Sequence, residues 1–123
     1  MNQDVTLIID TRSNEKTIIT LVSDGKKMEE SLHTHNTHSQ AVLPLIEKLL
    51  AREHLSPSDI KQIEVPVDSG SYTGRRVGVA VAQMLGTLLS IPVNGKRASH
   101  PVEIPYDTDK FIDFSMSPFY NPS

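Results

Sequence analysis

The chain is 123 residues long, contains no cysteine, is 37% apolar and has a formal net charge of −3. Such a length admits one domain with a modest core and leaves no room for a two-lobed enzyme, while the lack of thiols excludes disulfides and thiolate metal sites and makes the cytoplasm the default compartment. Acidic residues outnumber basic ones, so a basic face able to grip nucleic acid unaided is not expected.

Residues 1–10 lack the basic start and apolar run of a signal peptide. The longest apolar stretch, Val77 to Leu89, is interrupted by Gln83 and is too short to span a bilayer, so a soluble protein with no membrane association is expected. Val5, Leu7 and Ile9 alternate with Thr6 and Ile8, which makes both faces of the first strand largely apolar and places it centrally in a sheet. Asp10 to Asn14 breaks that strand. Thr17 to Val22 reads as a second strand, Asp24-Gly25 as a two-residue hairpin turn, and Lys26 to His33 as a more polar edge strand.

From His38 the period becomes helical: Val42, Leu45, Ile46, Leu49 and Leu50 follow three-four spacing, with Gln40, Glu47, Lys48 and Arg52 opposite. Pro44 lies past the first turn of this run, where it removes a hydrogen bond and predicts a kink, or else a separate turn before it. Ser56-Pro57-Ser58-Asp59 is a helix-start signal, and Ile60 to Val67 reads as a strand reached by crossover and paired parallel to the first.

Asp68-Ser69-Gly70-Ser71-Tyr72-Thr73-Gly74 then forms a tight polar turn into a long helix, roughly Tyr72 to Ser90. The helix is apolar on most sides, and Gly74, Gly78, Ala82, Gly86 and Ser90 recur every fourth residue as a low ridge that lets another backbone come close. Ile91 to Gly95 completes a mixed five-stranded sheet with two long helices, an α/β fold. After Lys96 prolines 101, 105, 118 and 122 are scattered among Asp107, Asp109 and Asp113 without a period. This predicts a globular unit over 1–96 and an irregular tail over 97–123.

The turn at 69–74 offers helix N-terminal amides to a phosphate, with Asp10, Thr11 and Asp68 as further candidate phosphate or metal residues, but it lacks a P-loop lysine and reads more simply as a capped structural turn. Asp10 and Asp68, at the ends of neighbouring parallel strands, could share a magnesium ion for nuclease chemistry. Further carboxylates are then needed, and the first helix offers only Glu47 and Glu53. His33, His35 and His38 lack a fourth ligand, His100 being remote, so a solvated edge is preferred to a metal site. No cofactor, no metal and no catalytic residue is expected. A small chain with a helix apolar nearly all round instead favours an interface, for which about 800 Å² per partner is the standard patch.

The ordered set Leu7-Ile8-Ile9-Asp10-Thr11, Thr37-His38-Ser39, Leu43-Pro44-Leu45-Ile46, Leu49-Leu50, Ser69-Gly70-Ser71-Tyr72-Thr73-Gly74, Arg76, Gly78, Ala82-Gln83 and Ile91-Pro92-Val93 resembles the N-terminal lobe of the TsaB (YeaZ) family. The resemblance runs from Val5 to Gly95 and places Pro44 at the family's Leu-Pro step. It implies a single lobe of the actin-like ATPase (ribonuclease H-like) fold, with the family's second lobe missing at this length. It also implies a noncatalytic partner of TsaD, which makes threonylcarbamoyladenosine beside the anticodon of tRNA, together with the ATPase TsaE. In the family the helices contact TsaD or, without it, form a homodimer; the positions expected to do so here are Val42, Leu45, Ile46, Leu49, Gly78, Ala82, Leu85, Gly86 and Leu89. A magnesium-dependent ribonuclease H-like nuclease using Asp10 and Asp68 is the alternative.

The chain departs from the family pattern in three places. Asp68-Ser69 stands where Gly-Pro is usual, Tyr72 replaces phenylalanine, and Arg75 adds a charge before Arg76, with Asp68 the nearest acid to compensate it. TsaD-like proteins carry metal histidines just after the last strand of this lobe, whereas Lys96-Arg97-Ala98-Ser99-His100 supplies one.

Overall fold

The computed structural model describes residues 4–34 and 38–97. In chain order these form β1 (Val5–Asp10), β2 (Lys16–Ser23), β3 (Lys26–His33), α1 (His38–Arg52), a 3₁₀ turn (Pro57–Asp59), β4 (Ile60–Glu64) and α2 (Tyr72–Leu89). The sheet order is β3-β2-β1-β4, so the doubly apolar β1 is central as its composition requires. It pairs antiparallel with β2, Leu7 opposite Leu21 and Ile9 opposite Ile19, and parallel with β4, Leu7 opposite Ile63. Asp24 and Gly25 both take positive φ, 52° and 76°, the geometry that a tight hairpin between twisted strands demands.

One sheet face carries the core. Val5, Leu7, Ile9, Ile19 and Leu21 are buried together with Val42, Ile46 and Leu49 of α1 and Val79 and Ala82 of α2. Helix α1 lies over β2 and β3, α2 over β1 and β4, and the helices touch. Glu30 of β3 is held from α1 by Lys48 and Arg52, at 3.3 and 2.5 Å. Helix α1 passes through Pro44 as one element rather than starting after a separate turn. Pro44 and Gln40 are both exposed, so the carbonyl that loses its donor faces solvent. No described helix is long and apolar enough to cross a membrane.

The structure corrects the sequence reading in two places near β4. This strand ends at Glu64 rather than Val67, and among the described residues the sheet has four strands, not five. The segment expected as the fifth makes single bridges only, Val93 to Ile63 and Val93 to Lys96. Asn94 is the cause. Its side-chain oxygen accepts from the Val65 N–H at 2.8 Å and its amide donates to the Val65 carbonyl at 3.0 Å, taking the place of the next strand residue. Positive φ at Asn94 and Gly95, 50° and 77°, then turns the chain away. The tail over 98–123 lies outside the described residues.

The ridge of small residues on α2 faces inward. A Cβ at Gly78 would meet Thr11 Oγ1 at 2.5 Å and Val65 at 3.1 Å, one at Gly86 would meet Val93 at 2.6 Å, and one at Gly74 would collide with the Thr11 carbonyl. The absent side chains let α2 lie close on the end of β1 and on the turn after itself, rather than preparing a seat for a foreign backbone.

Candidate functional site

The turn at 68–74 meets the residues that follow β1, and the contact is close at every step. Ser71 caps α2, its hydroxyl accepting from the Gly74 N–H at 3.1 Å, while its own N–H donates to the Arg12 carbonyl at 3.0 Å. Thr11, 1% exposed, donates its hydroxyl to the Gly74 carbonyl at 2.5 Å. Gly70, at φ +84°, leaves no space for a side chain, since a Cβ there would stand 2.7 Å from both Arg12 Cβ and the Arg12 carbonyl oxygen.

Arg12 organises the charges. Its Nε and Nη2 donate to the two carboxylate oxygens of Asp10, both at 3.0 Å, and Nη1 donates to Asp68 at 2.9 Å and to the Ser69 hydroxyl at 3.1 Å. Burial pushes the Asp10 carboxyl up, but the Arg12 hydrogen bonds and charge, helped by Lys16, outweigh it and hold the group below its ordinary value. The same hydrogen bonding to Asp10 raises the Arg12 guanidinium. A shallow cavity of about 300 Å³ opens beside this cluster, lined by Asp10, Arg12, Lys16, Ile18 and Ser69 among others.

Asp10 and Asp68 are therefore close, as the sequence reading required, but a guanidinium bridges them. Both oxygens of Asp10 and one of Asp68 accept from that guanidinium, which stands between the two carboxylates. The amides of Ser71, Gly74 and Arg75 are also engaged within the chain, the last donating to the Ser71 carbonyl. Among the described residues no group of three or more His, Asp or Glu is placed to hold a metal ion. His38 is buried with Nδ1 2.6 Å from the Thr17 hydroxyl, His33 is exposed on β3, and His35 and His100 lie outside the described residues.

The added charge at Arg75 is not compensated by Asp68. Arg75 is buried and donates to the Val67 carbonyl at 2.8 Å, and its guanidinium carbon lies 5.6 Å from the centre of the Tyr72 ring, with that of Arg76 at 5.7 Å. A tyrosine face thus meets both cations. Thr73 is exposed on the first turn of α2.

Seven of the nine residues expected on a partner surface, Val42, Leu45, Ile46, Leu49, Gly78, Ala82 and Gly86, are buried within the chain's own core; Leu85 and Leu89 are half-buried. The helices show other apolar residues outward: Leu43 is 39%, Met84 43% and Leu88 72% exposed. On α2 the half-buried Val77 and Val81 continue the Met84 and Leu88 stripe at helical spacing. Sequence reasoning missed this stripe and Arg12. The signal for Arg12 was a cation two residues after Asp10, in a chain with an unusual acid at position 68.

The comparisons with known proteins converge. The model of the TsaD family, described as tRNA N6-adenosine threonylcarbamoyltransferase, matches residues 32–95. The tRNA threonylcarbamoyladenosine biosynthesis protein TsaB of Bacillus subtilis (strain 168) is 30% identical over 115 residues, 94% of this chain and 49% of that protein. Its namesake in Haemophilus influenzae is 31% identical over 91 residues, 74% of this chain and 39% of the relative. The solved structure of YeaZ from Pseudomonas aeruginosa superposes with a TM-score of 0.66 at 27% identity, covering 76% of this chain and 42% of that one. The chain spans about half the length, or less, of the relatives it matches.

Proposed function

The chain belongs to the TsaB (YeaZ) family, within the reach of the TsaD family model, and on that premise we propose that it is a noncatalytic scaffold in tRNA threonylcarbamoyladenosine biosynthesis. In this reading it supports a TsaD-like transferase in the cytoplasm, alongside a TsaE-like ATPase, and performs no chemistry itself. The observation that carries the reading is the outward apolar stripe of Met84 and Leu88 on α2, with Leu43 on the neighbouring α1. The occupied carboxylates at the β1 end agree with it, because they leave the joint a mechanical part that sets where α2 begins.

Contact through the helices then means the outer stripe, with Leu85 and Leu89 at its border, rather than the buried ridge. Without the transferase, the same stripe pairs two copies of the chain. Co-purification with the TsaD-like subunit of the same organism tests this: a complex at micromolar concentration is expected, and its absence, together with a monomer by light scattering, removes the proposal.

A further inference from the structure

Of the asparagines, at positions 2, 14, 36, 94 and 121, only Asn94 precedes a glycine. In such a pair no side chain shields the following backbone nitrogen, which can attack the asparagine's own side-chain amide. That amide is also the group that closes the sheet beside β4, its oxygen accepting from the Val65 N–H at 2.8 Å and its nitrogen donating to the Val65 carbonyl at 3.0 Å. The backbone around it is held as well, the Asn94 N–H donating to the Ile63 carbonyl at 2.8 Å and the Ile63 N–H to the Pro92 carbonyl at 3.0 Å. Reciprocal bonds between Val93 and Lys96, at 2.8 and 2.9 Å, make Asn94 and Gly95 the central residues of a tight turn, where a Cβ on Gly95 would meet only open space. Water therefore reaches the pair while the carbon to be attacked is tied to Val65.

We propose that Asn94 is a latent deamidation site, shielded by the folded end of the sheet, and that a chain which opens there is modified and does not close again in the same way. The reaction needs only water. The Gly95 backbone nitrogen gives up its proton and bonds to the side-chain carbonyl carbon of Asn94; the bond from that carbon to the side-chain nitrogen breaks, and the nitrogen leaves as ammonia, carrying the proton. Water then opens the cyclic imide at either carbonyl, giving aspartate or isoaspartate. The attack requires the side chain to swing off Val65, so in the folded chain its rate follows how often this end of the sheet opens.

Both products spoil the closure. Aspartate keeps an acceptor for the Val65 N–H but has no hydrogen for the Val65 carbonyl, and its charge enters a shallow cavity that Glu64 also lines, with the exposed Lys96 the nearest cation in sequence. Isoaspartate adds a methylene to the backbone of the turn and displaces the side chain. The neighbouring Val93 packs where a Cβ on Gly86 would stand 2.6 Å from it, so the loss reaches the end of α2. The inference rests on this end of the sheet alone and is independent of the proposed partner contact.

Peptide mass spectrometry of the full-length chain in mildly alkaline buffer, with and without guanidinium chloride, tests the shielding on the unsubstituted protein. Conversion of Asn94 is expected to be about tenfold or more slower in the folded chain than in the unfolded one. In the unfolded chain it should outpace conversion of Asn14, which precedes Glu15. Asn94→Asp, which carries the acid from synthesis, is expected to melt about 4 °C or more below the wild type. Equal rates in the two states, faster conversion of Asn14 in the unfolded chain, or an Asn94→Asp midpoint equal to that of the wild type would overturn the inference.

Discussion

Arg12 and Asp68, 56 positions apart, meet through a 2.9 Å ion pair while the other edge of the same guanidinium grips Asp10. One side chain thus ties the end of the central strand to the turn from which α2 starts. The two halves of this bridge differ in strength, because Asp68 is 81% exposed and Asp10 only 21%.

Replacing the guanidinium should therefore cost more than replacing its outer partner. Arg12→Ala is expected to lower stability by about 1–2 kcal/mol, mostly through the stranded Asp10, whereas Asp68→Ala should cost less than about 0.5 kcal/mol. Urea denaturation of the two variants checks the order; equal losses would contradict the asymmetry.

Acid should weaken the same joint. The Asp10 carboxyl is held below its ordinary value of 3.8 in the folded chain, so its contribution is complete above that value and is lost as pH falls through the lower folded value. Between about pH 5 and pH 2 the urea midpoint of the wild type should drop more steeply than that of Asp10→Asn. Parallel curves would show that Asp10 is not linked to folding.

Glycine to alanine in a helix normally stabilises by about 1 kcal/mol. At Gly78 the sign should reverse, with a loss of about 1–3 kcal/mol, because the new methyl group meets Thr11 and Val65. Gly74→Ala should be worse, since its obstacle is the Thr11 backbone, which cannot rotate away. A thermal midpoint raised by either substitution would place the ridge outside the core.

Leu88 and Leu49 separate the two sides of the helix layer. Leu49→Ala, at a fully buried site, should cost about 2–5 kcal/mol, and Leu88→Asp less than about 0.5 kcal/mol. Only Leu88→Asp should abolish the proposed pairing with a TsaD-like subunit or a second copy while the far-ultraviolet circular dichroism stays unchanged. Retained assembly in Leu88→Asp would move the partner surface elsewhere.

The elements were readable from local pattern. Period-two alternation and Asp24-Gly25 marked β1 to β3, three-four spacing marked α1, and the polar turn with small residues at every fourth position after it marked α2, because these signals act over a few residues. Asn94 hid the end of the sheet, for an amide side chain that imitates a strand has no periodicity to betray it. The ridge of Gly74, Gly78, Ala82 and Gly86 was visible as a row of small residues, yet its direction was not.

The amino-acid order by itself determined the succession of β1 to β4 and the two helices, the central place of β1 and the motif set shared with the TsaB family. Tertiary structure alone decided that the glycine ridge faces Thr11 and Val65, that Arg12 rather than Arg75 satisfies Asp68, and that Met84 and Leu88 are left outside. Spacing sets which residues share a helix face, but the rotation of that helix about its axis is chosen only when it docks. Contacts such as Thr11 with Gly74, 63 positions apart, make that choice.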